Sequence, residues 1–458
     1  MHKMLDQLYD DVIAKHRAAF SEAGEVRIAR APGRVNVIGE HIDYNGLSVL
    51  PTAIDREIAI AFSATESSDV ALTNLNPRFG DRSFALSGDI EPFGPGDWGN
   101  YAKAAAQALW KWAEKNSPDS LPLKGFRGCA GGTIPPGSGL SSSSAMVVAA
   151  AFALIRVNNL RIDSLELASL LARGERYVGT EGGGMDQAAS ILSKPGNVLK
   201  ISFNPLCAIP ISLSDECVFV IANSMVQASK AGPARTAYNT RVAECRLGLQ
   251  MLKTISRKDS PEIENAVLLG DVMACVPDWR SLIDELPERG VSLAAVSEYC
   301  GMDEAEVRNS CLRCRDGSFL DEPAGGFQVK RRCRHVLTEG ERVDLAARAI
   351  REGRLDDLGR YMDESHESCA SDYEVSCKEL DELVGILRRH GALGARLTGA
   401  GFGGCAVAAV RFHDAENLIE GVSHDYYQTY LTSKGFDAVS DTSSMVFRCV
   451  ASAGAGIR

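Results

Sequence analysis

The sequence predicts an α+β chain of two domains, and three observations carry that reading. Short apolar runs separated by polar turns occupy Val26 to Phe62 and return from Arg396 to Val450, the pattern of strands. Residues 240–375 read as mostly helical, with charged faces. A composition shift around FNPLCAIPISLSD, near 205–216, separates a domain of residues 1–210 from one of 211–458. A chain of 458 residues has room for two large domains or about three average ones.

Taken in order, MHKMLDQLYDDVIAKHRAAF mixes acids and bases on a helical period and reads as a surface helix. It lacks the basic and apolar regions of a secretory signal. VRIARA, RVNVIG, LSVLPTAI and EIAIAF read as four strands, with EHIDYNG as the break between the second and third. NYAKAAAQALWKWAE at 100–114 has helical spacing. Lys124 to Ile134 reads as a strand, about 144–157 as an apolar helix, and LELASLLARGERYV as a helix capped by Asp163 or Ser164. GTEGGGMDQ at 179–187 ends it. After Asn197 to Asn204, CVFVIANS at 217–224 reads as a buried strand. RLTGAGFGGCAVAAV at 396–410 reads as strands, 414–433 as a helix and SMVFRCV as a last strand. The helical segment near 255–330 is assigned no role beyond packing, and the chain has no internal repeat.

Composition narrows the classes. With 45% hydrophobic and 24% charged residues the chain is of the globular kind. The longest apolar run, Ala145 to Ile155, is short of the roughly 20 residues of a membrane-spanning helix. Net charge is -11 and no block of Lys and Arg offers a phosphate-backbone footprint, which argues against nucleic acid. Thirteen scattered cysteines suit free thiols and a cytoplasmic location better than a disulfide framework. Cys311 and Cys314 form one CxxC without a second pair, and Cys333 has only His335 nearby, so zinc is not expected.

Three glycine-rich places carry chemistry. PPGSGLSSSSA at 135–145 runs straight into the apolar helix, which is unlike a flexible linker. Its serines fall where first-turn amides lack intrahelical partners, and a helix N-terminus attracts phosphate. Serine hydroxyls there also suit Mg²⁺. A phosphate cradle and a cap that only supports folding both fit. The usual GxxxxGK[ST] loop is absent, since Gly-Lys occurs nowhere. GAGFGG at 399–404 fits GxGxxG but leads into a strand, so its glycines are expected to pack against another loop or a phosphate rather than bind a dinucleotide. APGRVNVIGEHIDYNG gathers Arg34, Glu40, His41, Asp43 and Tyr44, donors and acceptors suited to sugar hydroxyls, although a solvated turn would look similar. Asp186 follows three glycines, as a catalytic carboxylate or a helix cap would.

Together GRVNVIGEHIDYNG, PPGSGLSSSSA, GTEGGGMDQ and RLTGAGFGGC resemble the galactokinase branch of the GHMP kinases, over about Val26 to Val410. GTEGGGMDQ and DESHESC look closest to the group of N-acetylgalactosamine kinases and plant-type galactokinases. The resemblance implies a two-domain fold of mixed sheets with helices packed on them, and a site between the domains. It also implies transfer of phosphate from ATP, with Mg²⁺, to the anomeric hydroxyl of galactose or a close relative. By the same resemblance Asp186 is the catalytic base with Arg34 beside it. Arg34, Glu40, His41, Asp43, Gly184, Asp186 and Tyr238 bind sugar. Trp98, Gly137, Gly139, Ser141, Ser142, Ser143, Ser144, Ser229 and Lys230 serve the nucleotide. Ser143 matches a Mg²⁺ ligand. The family's second ligand is a Glu at the position held here by Gly174; Glu175 is adjacent, and one helical residue turns a side chain by about 100°. An N-acetylgalactosamine kinase is the enzymatic alternative, against which Tyr238 leans. A non-catalytic sugar sensor is the other, against which stand Asp186 and the unaltered Ser144-Ala145. A monomer is expected.

Overall fold

The computed structural model describes all residues except 1, 22–23, 180–182, 228–232, 257–259, 315–316, 438 and 440. The chain begins with α1 (His2–Ala19), which lays Leu8, Tyr9 and Val12 on Ile28, Ala59, Ala61 and Cys129 of the sheet behind it. That sheet has six strands in the order β12-β1-β2-β5-β3-β4: β1 (Arg27–Asn36), β2 (Pro51–Ala64), β3 (Asp69–Asn74), β4 (Arg82–Ala85), β5 (Phe126–Gly132) and β12 (Gly456–Ile457). Among the described residues only β3 and β5 run parallel. The four expected strands of this region are two long ones. VRIARA and RVNVIG join in β1 through a register shift between Pro32 and Arg34, and Asp55 and Arg56 lie inside β2 without breaking it.

The other face carries α2 (Gly99–Asn116), α3 (Ser142–Val157), α4 (Ser164–Gly174) and α5 (Met185–Leu192). Helix α3 has no polar face after its first turn and is buried from Ser144 to Ala151, as its composition requires. Asp163 caps α4 by accepting from Leu165 and Glu166 amides. Next come β6 (Asn197–Ser202) and β7 (Cys207–Ser212), an antiparallel pair. The stretch read as a boundary is therefore largely the second strand of a hairpin.

Strands β8 (Cys217–Asn223), β9 (Gly394–Thr398), β10 (Cys405–Arg411) and β11 (Val446–Cys449) form an antiparallel sheet in the order β11-β8-β10-β9. Helix α6 (Pro233–Ser256) precedes the short α7 (Leu269–Cys275), α8 (Trp279–Asp284), α9 (Leu293–Cys300) and α10 (Glu304–Val307), then α11 (Val329–Arg351), α12 (Leu355–Ser371), α13 (Lys378–Arg389) and α14 (Ala415–Val422). Leu383, Val384, Leu418 and Val422 cover one face of the second sheet. The other face joins the main core, which runs without interruption from β1 to α12. The last residues return to the first sheet, where β12 pairs with β1 and Arg30 donates to Gly454 O at 2.8 Å. Among the described residues no helix is long and apolar enough to cross a membrane.

Candidate active site

Strand β1 delivers Arg34 and then leaves the sheet as the motif IGEHIDYN. At the register shift, Gly33 lets the strand touch the serine loop: a Cβ there would lie 2.7 Å from Leu140 O, and Arg34 N donates to that carbonyl at 3.2 Å. The Arg34 guanidinium is buried. It donates through Nε to Asp186 Oδ1 at 2.8 Å and through Nη1 to Gly139 O at 2.7 Å, and its Nη2 is 2.8 Å from the same carboxylate oxygen. Burial works against its charge, but the carboxylates of Asp186, Glu40 and Asp43 more than offset it and raise its pKa.

Asp186 sits in the first turn of α5, where an acidic residue suits the dipole. Its second oxygen accepts Ser141 Oγ at 2.5 Å and faces Ser144 Oγ at 3.5 Å. Its side chain keeps 28% exposure, so a substrate can reach it. Ser141 adopts a left-handed conformation (φ 59°) as α3 begins. The serine hydroxyls do not all face outward, as a pure phosphate cradle would have them. Ser144 donates to Glu175 Oε2 at 2.8 Å, Gln187 Nε2 bonds the same oxygen, and Ser143 hydrogen-bonds with Tyr101. Glu175 opens a 3₁₀ turn directly after α4. A Cβ at Gly174 would lie 2.8 Å from Ala108 Cβ, so position 174 faces α2 while Glu175 faces the serines. The oxygen donors of Ser143, Ser144 and Glu175 are the chemistry Mg²⁺ prefers.

Beside this lies the EHIDYN turn. Asp43 Oδ2 accepts Gly183 N at 3.0 Å, and burial together with the charge of Asp186 pushes its carboxyl up to about 6. Gly184 caps α5 with φ 105°. His41 is buried, its ring 5.6 Å from that of Tyr238, and burial followed by the field of His335 lowers its pKa to about 3. Glu40, expected at the sugar site, accepts Gly399 N with Oε1 at 2.7 Å, and that oxygen lies 3.4 Å from Arg396 Nη1. That oxygen fastens the turn to the second half of the chain. Gly137 and Gly139 both have positive φ. The 399–404 loop meets the serine loop backbone to backbone: a Cβ at Gly399 would lie 2.8 Å from Gly139 O, and one at Gly404 3.1 Å from Ser138 O. Trp98 precedes α2, nearly buried, and donates to Gly80 O at 2.9 Å. Ser229 and Lys230 lie outside the described residues.

Sequence reasoning missed the buried polar layer under the turn. Glu339 Oε1 accepts Gly39 N at 2.9 Å and Ser365 Oγ at 2.6 Å. His335 contacts Glu40 O at 3.0 Å and Ser368 Oγ at 2.9 Å, and Tyr44 OH is 2.9 Å from Tyr373 OH. The only available signal was DESHESC, whose serines spaced by three, Ser365 and Ser368, face this layer.

A glycine-rich turn entering an apolar helix, interlocked with a second glycine loop and facing an Arg–Asp pair, defines a small-molecule kinase of the GHMP class. The models of the GHMP kinases N terminal domain and GHMP kinases C terminal match residues 100–194 and 346–428, and the galactokinase galactose-binding signature matches 14–64. The galactokinase of Dictyostelium discoideum is 32% identical over 450 residues, covering 91% of this chain and 87% of that one. That of Saccharomyces cerevisiae is 32% identical over 459 residues, covering 88% and 86%. The crystal structure of Lactococcus lactis galactokinase complexed with galactose superposes with a TM-score of 0.74 at 28% identity, covering 97% and 98%. The chain belongs to the galactokinase family.

Proposed function

We propose that the chain transfers the γ-phosphoryl group of ATP to the anomeric hydroxyl of galactose, giving galactose 1-phosphate and ADP. The carrying observation is Asp186, fixed by Arg34 on one oxygen and reachable on the other. The sugar hydroxyl replaces Ser141 Oγ at Oδ2. Asp186 takes the hydroxyl proton as the sugar oxygen bonds to the γ-phosphorus and the bond to the ADP oxygen breaks. Arg34 holds the Asp186 carboxylate in line through two contacts to Oδ1. First-turn amides of α3 receive the phosphates, where the helix end favours negative charge. Ser143, Ser144 and Glu175 would hold Mg²⁺, which supplies positive charge to the phosphate oxygens. Asp43, His41 and Tyr238 line the sugar, and Trp98 stands on the nucleotide side.

ADP release on adding galactose, N-acetylgalactosamine, arabinose or galacturonate tests this. Galactose should turn over best. Reaction only with N-acetylgalactosamine would replace the substrate, and tight binding of galactose and ATP without ADP release would make the chain a sensor. A cytoplasmic setting and a monomer remain part of this reading.

A further inference from the structure

The second glycine loop, 399–404, is held by two segments outside it. Phe402 N donates to Val375 O at 2.6 Å, and a Cβ at Gly401 would lie 2.2 Å from the same carbonyl. Gly404 N donates to Val226 O at 2.8 Å, and Gly404 O accepts Ser224 N at 2.8 Å. The chain leaving β8 and the turn that follows α12 therefore bracket the loop.

Both brackets are strained. Among the described residues seven other than glycine have φ in the left-handed region, and two of them are asparagines, which tolerate it. Of the other five, His41 and Ser141 belong to the sugar turn and the serine loop. Met225 (φ 63°), Glu374 (φ 54°) and Phe402 (φ 57°) lie on the glycine loop and its two brackets. Such a conformation costs free energy and persists only where neighbours over-determine it.

At Glu374 those neighbours are three arginines. Its Oε1 accepts Arg331 Nη1 at 2.8 Å, while its Oε2 accepts Arg332 Nη2 and lies 3.7 Å from Arg241 Nη2. The same guanidinium groups hold the backbone before it: Ser371 O accepts Arg331, Asp372 O accepts Arg332, and Tyr373 O accepts Arg241 Nε at 2.8 Å. Arg332 is fully buried and is fixed in turn by Glu244 Oε2 at 2.6 Å. Burial works against the charge of Glu374, but Arg332, followed by Arg331 and Arg241, more than offsets it and holds its pKa below the ordinary carboxylate value. The next carbonyl along the chain, Val375 O, is the one that receives Phe402.

We propose that Glu374 is a positioning residue for the nucleotide: gripped by Arg331 and Arg332, it keeps the backbone at 374 left-handed, so that Val375 O seats the 399–404 loop against the serine loop. The nucleotide part rests on the kinase reading of the serine loop. As the fraction of chains with a seated loop falls, the apparent dissociation constant for nucleotide grows in proportion. Glu374→Ala removes the grip and disfavours the left-handed backbone. Its KM for ATP, and its dissociation constant for ADP by calorimetric titration, should rise about tenfold, the loss of one hydrogen bond to a charged group. The kcat and the KM for galactose should move by less than about twofold. Glu374→Gly loses the grip as well but adopts a positive φ freely, and should recover most of the nucleotide affinity. A role in the fold alone would lower Tm in both variants without separating the two substrates. Glu374→Gln, which keeps the length and loses the charge, carries the test if Glu374→Ala fails to fold, with a rise in the same two nucleotide constants of about threefold. Unchanged nucleotide affinity in Glu374→Ala or its substitute, or a loss in Glu374→Gly as large as in Glu374→Ala, overturns the proposal. So does a rise in the KM for galactose as large as that for ATP, which would mean that the arginines act through α6, the helix of Tyr238. A chain that shows the expected ADP pattern yet phosphorylates no sugar would instead overturn the functional reading.

Discussion

At the residue scale, the site divides its carboxylates by environment. Asp186 is paired with a guanidinium and open on one side, which suits a base, whereas Asp43 forms no ion pair among the described residues and is pushed up to about 6 by burial and the charge of Asp186. Replacing Asp186 by Ala should lower kcat by roughly 10³-fold, within the range for general-base catalysis, with the dissociation constant for ATP moving only a few-fold by titration. Near-normal turnover would remove Asp186 as the base. Asp43 gives a pH prediction. Above about 6 it is a carboxylate and accepts hydroxyl hydrogens; below, it is a neutral acid. The KM for galactose should climb as pH falls through 6, and Asp43→Asn should flatten that profile. A wild-type profile flat from pH 5 to 8 would count against the assignment.

At the element scale, the two glycine loops act as one unit. In Gly399→Ala the added methyl would press on Gly139 O at 2.8 Å, with φ already at 90°. A loss of about 1–3 kcal/mol follows, read as a Tm a few degrees lower. The KM for ATP should rise more than that for galactose, because the serine loop is what shifts. An unchanged Tm would mean that the loops tolerate separation. Strands β1, β2, β5, β8, β10 and β11 were legible because apolar periodicity reports burial locally, whereas β3, β4 and β12 are too short to show a period and were not read. The merging of VRIARA with RVNVIG was not, since a bulge at Gly33 depends on the Leu140 carbonyl, about a hundred residues away. Ser141 and Ser144 were legible as loop residues but not as partners of Asp186 and Glu175, because a hydroxyl's target depends on which distant segment folds against it. The offset at Gly174 found its reason only in the closeness of α2, which no spacing rule contains.

At the scale of the whole molecule, the polar layer of Glu40, His335, Glu339, Ser365 and Arg396 binds the EHIDYN turn to α11, α12 and β9. It leaves the protein sensitive to acid. His335 and His41, at about 4 and about 3, bind protons in the unfolded chain near pH 6.5 but not in the folded one. Their contribution is present above that pH and is lost as pH falls towards 4 and 3. Glu339, held down at about 2 by Arg342 and Arg396 despite its burial, adds a loss below 4.5. All three act in the same direction. One pKa unit is worth about 1.4 kcal/mol, so His335 alone carries a loss on the order of 3 kcal/mol. Urea unfolding should show a midpoint markedly lower at pH 5 than at pH 7, and equal midpoints would contradict the buried neutral imidazoles.

The interlock of Gly139 with Gly399 also sets an order of events during synthesis. The serine loop leaves the ribosome about 260 residues before the loop that completes it, which at ~5–20 residues per second is roughly 15–50 s. Through that interval the apolar helix α3 can form, but its leading loop has no partner backbone to rest on. The nascent first half is thus a chain whose sheet still lacks its edge strand β12 and whose serine loop lacks its partner, and that loop reaches its final setting only after the second glycine loop has emerged.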